Sequence, residues 1–132
     1  MLNQNTVIVD TNVMVRFLIG DGGDLAKDAA DFFRSVESGN VIAVLKDVVI
    51  AETVYVLEKV YSVPKAEISA VLAKMLMIKN IRMEDKETAV KALELYGFSN
   101  VDYADAYIVA CGQVSGMKVK SYDKGVNRLL GN

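Results

Sequence analysis

Hydrophobic positions follow two periods along this chain, and the places where the period changes mark its elements. Short apolar runs at 6–10 (TVIVD), 41–45 (VIAVL), 80–83 (NIRM) and 117–123 (MKVKSYD) read as strands. The first is β-branched throughout its apolar part, the signature of a strand buried on both faces. Between the strands, apolar residues recur at helical spacing. Asn12 suits the N-cap of a first helix and Gly20 its stop. Leu25, Ala29, Phe32, Phe33 and Val36 stripe a helix over 23–40. The run 46–63 is too long for a strand and reads as a largely buried helix. Pro64 suits the first turn of another helix, reaching about Met77. Helices over 84–97 and about 102–115 stop at Gly97 and Gly116, and a short helix from Lys124 closes the chain.

Strands that alternate with helices imply a parallel sheet covered on both faces. Sites in such sheets lie outside the carboxyl ends of the strands. Asp10 ends the first strand and Asp123 follows the fourth, so both are expected at that edge.

Composition narrows the chemistry. The 132 residues suit one domain, 1–132, and a hydrophobic share of 52% supports a sizeable core. No run of 18 uncharged apolar residues occurs, and Asp10 and Arg16 interrupt the N-terminal apolar stretch. Neither a membrane span nor a signal peptide is expected, and a cytoplasmic location is the default. Cys111 is the one cysteine and histidine is absent. That excludes Ser-His-Asp triads, Cys-His dyads and multi-thiolate zinc sites, and leaves acid–base or metal chemistry to carboxylates. The net charge of −2 argues against a simple duplex-DNA clamp.

Five acids stand out. Asp10, before Thr11 and Asn12, sits at a strand end and equally suits a polar cap. Glu52 has Val48, Val49, Tyr55 and Val56 as helical neighbours. Buried without a partner there, it would cost roughly several kcal/mol; Lys59 is a possible partner. Asp102 and Asp105 share a helix face in VDYADAYIVA, with no Lys or Arg nearby. Asp102 suits the N-cap, and Asp105 the first turn. Ala106, Val109 and Gly112 on the Asp105 face are small enough to leave room beside the carboxylate. Asp123, before Lys124 and Gly125, suits a turn or a cap.

Together these positions predict three or four carboxylates converging at one sheet edge. Clustered carboxylates repel, and a hard divalent cation relieves them. Mg²⁺ or Mn²⁺ binds through a few carboxylates and retains waters. Such a centre suits phosphodiester hydrolysis.

Four segments, VIVDTNVMVRFL, VVIAETVYVLEKVY, DYADAYIVACGQVSG and VKSYDKGVNRL, resemble in order and spacing those of the PIN-domain family, and most of all its VapC-type toxin ribonucleases. The resemblance implies a three-layer α/β/α sandwich around a central, mostly parallel sheet of four to five strands. It implies that Asp10, Glu52, Asp105 and Asp123 are the catalytic, metal-binding acids, with Asp102 an additional one. Thr11, Asn12 and Ser121 would be supporting polar groups. It further implies a Mg²⁺- or Mn²⁺-dependent endoribonuclease that forms homodimers and is held inactive by a cognate antitoxin. Arg16, Lys46, Lys124 and Arg128 are candidate phosphate contacts, or ordinary solvated charges. Met75, Leu76, Met77 and Ile78 are either a dimer face or core.

Two other readings stand beside this one. A non-catalytic PIN-like binding module would keep the fold alone. A Mg-binding receiver-type signalling domain fits less well, because such domains place paired acids directly after the first strand, where this chain has Thr11 and Asn12.

Overall fold

The computed structural model describes residues 5–131. Its elements run β1 (Thr6–Ile8), α1 (Thr11–Ile19), α2 (Asp24–Glu37), β2 (Ile42–Val44), α3 (Asp47–Lys59), α4 (Lys65–Leu76), β3 (Ile81–Arg82), α5 (Lys86–Gly97), α6 (Tyr103–Ser115) and α7 (Lys124–Leu129). The strands form a parallel sheet in the order β1-β2-β3, with Val7 opposite Ala43 and Ala43 opposite Ile81. Backbone bonds carry the sheet one residue past its strands, from Val9 N–H to Val44 O (3.0 Å) and from Leu45 N–H to Arg82 O (2.9 Å). All three strands therefore deliver their carboxyl ends to one edge, with Asp10, Lys46 and Met83 just beyond it.

The core is continuous. Phe33 and Val36 of α2, Ile50 and Leu57 of α3, Leu72 and Leu76 of α4, and Leu93 and Tyr96 of α5 are buried together against Val9, Leu45 and Ile81 of the sheet. Helix α5 packs on both α4 and α6, while α1 packs on α2 and α3. Among the described residues, no helix is long and apolar enough to cross a membrane.

The parallel α/β arrangement agrees with the hydrophobic pattern, and four details correct it. First, the sheet of the described residues has three strands, not four to five. The expected fourth strand, 117–123, pairs with none of them. Its Val119 packs on α6 instead: a Cβ added at Gly112 would stand 2.6 Å from Val119 Cγ2. A period of two reports which face is apolar, not which edge is within reach. Second, β1 is consequently an edge strand and is not buried on both faces. Its Ile8 is 66% exposed, and Val9 just beyond it is buried. Third, α3 buries a single stripe, Val49, Ile50, Thr53, Val54 and Leu57, and leaves Val48 and Tyr55 in solvent. Fourth, Asp10 rather than Asn12 is the N-cap of α1; Gly20 does end the helix in the left-handed conformation, at φ 60°. Met75 and Leu76 belong to the core, whereas Met77 is exposed.

Candidate functional site

Three helix starts and one helix face carry the acids: Asp10 before α1, Asp102 and Asp105 at the start of α6, Asp123 before α7, and Glu52 on α3. Asp10 follows buried Val9 and turns the chain into α1, its Oδ1 accepting the Thr11 N–H at 2.8 Å. Thr11 is buried and Asn12 exposed. Asp10, Thr11, Asn12 and Arg16 share an open pocket of about 240 Å³ with Glu52 and Val56 of α3. Glu52 is exposed, so the desolvation expected from its apolar neighbours does not apply. Of those neighbours, Val48 and Tyr55 are themselves in solvent, whereas Val49 is buried and Val56 half-buried. Lys59 is not its partner; the ammonium lies 3.0 Å from Glu58 Oε2. Arg16 reaches Asp21 at 3.4 Å and remains half-exposed.

The second group stands around the start of α6. Asp102 has N-cap geometry and its carbonyl accepts the Ala106 N–H at 3.0 Å, but its side chain makes no capping bond. Its carboxylate lines a separate pocket with Tyr55, Glu58, Lys59 and Tyr103. Asp105 is half-buried. Burial, then repulsion from Asp123 and from Asp102, raises its carboxyl above the ordinary aspartate value. Asp123 caps α7, its Oδ1 accepting the Val126 N–H at 2.9 Å. Ser121 supports it, Oγ accepting the Asp123 N–H at 3.0 Å. Gly125 is needed here, since a Cβ would stand 2.9 Å from Val101 Cγ1 and 3.2 Å from Asp123 Oδ1. The room expected beside Asp105 is filled: Ala106 and Val109 are fully buried, and Gly112 lies under Val119.

The structure thus gathers Asp10 with Glu52 around one pocket, and Asp105 with Asp123 and Asp102 in one field of negative charge. Among the described residues, no three His, Cys, Asp or Glu side chains stand close enough to hold one ion. The donors nevertheless fit a hard cation in kind. All are carboxylates, and Mg²⁺ is commonly held by one or two carboxylates with waters completing its shell. Lys46 is the exposed N-cap of α3, Lys124 opens α7, and Arg128 lies in its last turn.

Sequence reasoning passed over several polar groups near this edge. Asp47, one residue past Lys46, accepts the Tyr107 hydroxyl at 2.8 Å and ties α3 to α6. The strand-end rule that selects Asp10 selects Asp47 equally well. Tyr96, fully buried, donates to Glu58, and Lys65 donates to the Val101 carbonyl at 2.6 Å. These partners are distant in sequence, and no local pattern announces them.

A parallel α/β sheet, with Asp10 beyond its first strand facing Glu52 across one pocket, defines the class: an α/β domain with a carboxylate-lined pocket at the sheet's carboxyl edge. A family model for the PIN domain matches residues 7–130, and the chain belongs to that family. PIN domains are generally nucleases, which hydrolyse phosphodiester bonds. No curated protein and no solved structure matches the chain.

Proposed function

We propose that this PIN domain, residues 1–132 taken as one unit, is a Mg²⁺- or Mn²⁺-dependent endoribonuclease. In this reading Asp10, Glu52, Asp105 and Asp123 are its catalytic acids. The observation that carries the reading is the uncompensated charge at Asp105. Burial and two neighbouring carboxylates raise its carboxyl, and among the described residues no Lys or Arg forms an ion pair with it, Asp10, Glu52, Asp102 or Asp123. A bound cation would relieve carboxylates that repel one another in this way, which supports the reading.

Asp10, Glu52, Asp105 and Asp123, with Asp102 as an additional acid, would supply the ligands, one or two carboxylates to an ion with waters completing its shell. Bound there, Mg²⁺ or Mn²⁺ supplies Lewis acidity that activates water and offsets phosphate charge. Asp10 and Asp123 each commit one carboxylate oxygen to a backbone N–H and keep the other for this task. That fixes their orientation before substrate arrives. In this reading Arg16, which lines the Asp10 pocket, would contact RNA phosphates, and so would Lys46, Lys124 and Arg128. Thr11, Asn12 and Ser121 support the acids.

The same reading extends to a cytoplasmic toxin of a toxin–antitoxin pair, a homodimer in solution, as the VapC-like segments suggest. An open apolar groove of about 480 Å³, lined by Phe17, Leu18, Val71, Met75, Met77 and Ile78, supports a protein partner.

RNA cleavage by the purified protein with Mg²⁺ or Mn²⁺ tests the activity, compared with Asp10→Asn and Asp105→Asn. Both variants should lose cleavage; equal activity in all three proteins would overturn the proposal. One observation favours a second reading, a non-catalytic binding module: no three acids stand within reach of one ion among the described residues. Calorimetric titration with Mn²⁺ separates the two, since the module would give no binding heat.

A further inference from the structure

The segment 117–122 between α6 and α7 carries a row of groups that neither the core nor the acidic centre uses. It contains neither helix nor turn, and its exposure alternates: Lys118, Lys120 and Tyr122 face solvent, while Val119 and Ser121 are half-buried. Its inner side is anchored. Val119 lies on Gly112, Met117 N–H donates to Ser115 Oγ, and the Ser121 carbonyl accepts from Asn127 Nδ2 at 2.9 Å. Its outer side ends in Tyr122, 91% exposed, with Lys120 Nζ 4.9 Å from the centre of the ring. Nothing about folding requires an aromatic ring there, because it buries almost none of its apolar surface.

Charge separates this segment from its surroundings. From residue 117 onward the chain carries Lys118, Lys120, Lys124 and Arg128 against Asp123 alone, although the whole chain has a net charge of −2. Among the described residues the three lysines form no ion pair. Lys118, Lys120 and Tyr122 thus share the solvent side of the segment, two cations and then an aromatic ring, and the chain runs from them directly into Asp123, the acid that caps α7.

We propose that the outer face of 117–122 is a track for single-stranded RNA. Tyr122 stacks on an unpaired base, and Lys118 and Lys120 contact the phosphates that follow it. The assignment rests on the nuclease reading above and deepens it by naming residues, next to Asp123, that would hold the substrate strand. With Lys120 against one face of the ring, the base takes the other, a cation–ring–base sandwich. A duplex keeps its bases stacked and offers none to the ring, so the track selects unpaired RNA.

The chain has no tryptophan, so Tyr122→Trp introduces a single indole as a reporter. The full-length protein is titrated in chelator with a labelled single-stranded oligouridylate, and separately with a duplex of the same length. The single strand should quench the indole and the duplex should not. Tyr122→Ala should weaken single-strand binding by about tenfold, the scale of losing one stacked base, and Tyr122→Trp should restore it. Lys120→Ala should lower the slope of log affinity against log salt by about 0.7, one phosphate contact on a single strand.

Unchanged affinity in Tyr122→Ala with no quenching would overturn the track. Cleavage by the wild type but not by Asp10→Asn would leave the nuclease reading standing in that case. Full cleavage by Asp10→Asn would overturn the nuclease reading, while single-strand quenching in chelator would still uphold the track. An indole emission that shifts to the blue with protein concentration before RNA is added would mean that a second copy covers the ring, and would also overturn the track.

Discussion

Lys65 Nζ donates to the carbonyl oxygen of Val101 at 2.6 Å, across 36 positions of sequence, and the same ammonium lies 4.5 Å from the centre of the Tyr96 ring. The bond fixes the residue immediately before Asp102. Val101 in turn packs against Gly125, at the start of the helix that Asp123 caps. One lysine near the start of α4 thus bears on the spacing of the α6 and α7 acids. Lys65→Met keeps the aliphatic stem and removes the charge. It should cost roughly 1–3 kcal/mol, the range for a hydrogen bond to a charged group. Denaturant unfolding measures the cost, and an unchanged midpoint would show that the bond contributes nothing.

Asp105 provides a stability prediction of opposite sign. Its carboxyl is raised above the ordinary value, so the folded protein holds its proton more tightly than the unfolded chain does. Its contribution is most favourable below the unfolded aspartate pKa and declines as pH rises through the higher folded value. At neutral pH in chelator, Asp105→Asn should therefore leave the protein as stable or stabilise it, by less than about 1 kcal/mol given its partial exposure. A lower melting temperature in chelator would show that Asp105 instead acts as a first-turn acid.

Glu58 and Asp85 behave conversely. The Tyr96 hydroxyl holds Glu58 below the ordinary glutamate value, and Thr88 does the same for Asp85 through its hydroxyl and backbone N–H. Both contribute stability above their unfolded pKa values and lose it as pH falls through their lowered folded values. Tyr96→Phe should shift Glu58 upward and flatten the acid limb of stability against pH. Denaturant midpoints taken from neutral pH down to the acid range read this slope; an identical slope in wild type and variant contradicts the assignment.

The cap at Asp85 can be tested directly. Its Oδ1 accepts the Thr88 N–H at 3.1 Å and its Oδ2 the Thr88 hydroxyl at 2.6 Å, closing the first turn of α5. Asp85→Ala should lower stability by about 1 kcal/mol, and Asp85→Asn, which can still accept from the N–H, by less. Equal losses from the two would place the effect in charge rather than in the cap.

Gly112→Ala tests the seat of the 117–122 segment. Alanine is the better helix former by about 1 kcal/mol, so propensity alone predicts stabilisation. Its Cβ, however, would stand 2.6 Å from Val119 Cγ2 and 3.0 Å from the Met117 carbonyl oxygen. Overpacking of this kind typically costs about 1–3 kcal/mol. The variant should be destabilised and should move Ser121 and Asp123 with the segment. A melting temperature at or above that of the wild type would show that the segment yields freely.

Much of this molecule is local, and that part was legible from residue order. Gly20 ends α1 through its own left-handed backbone, Gly116 does the same for α6, and the apolar stripe of α2 follows its spacing from Ala29 to Val36, with Leu25 left in solvent. Each depends on atoms within about a turn of chain. The acidic composition and the lack of histidine likewise restricted the chemistry to carboxylates before any fold was known.

What the sequence left open depended on which distant surface lay opposite. Val48, Glu52 and Tyr55 look buried by composition but face solvent, because α1 and α6 meet that side of α3 across open pockets and not through close packing. The segment 117–123 has strand-like alternation, yet it lies against Gly112 of α6 rather than along β1. Asp105 and Asp123, 18 positions apart in sequence, interact because α6 packs against α7, where Val101 lies close to Gly125. Sequence by itself determined the glycine stops at Gly20 and Gly116, the apolar periods of the helices and the supply of carboxylates, since these are properties of neighbouring residues. Tertiary structure alone decided strand pairing, the exposure of Glu52 and the company of Asp105, since burial and electrostatic fields are set by every element packed nearby.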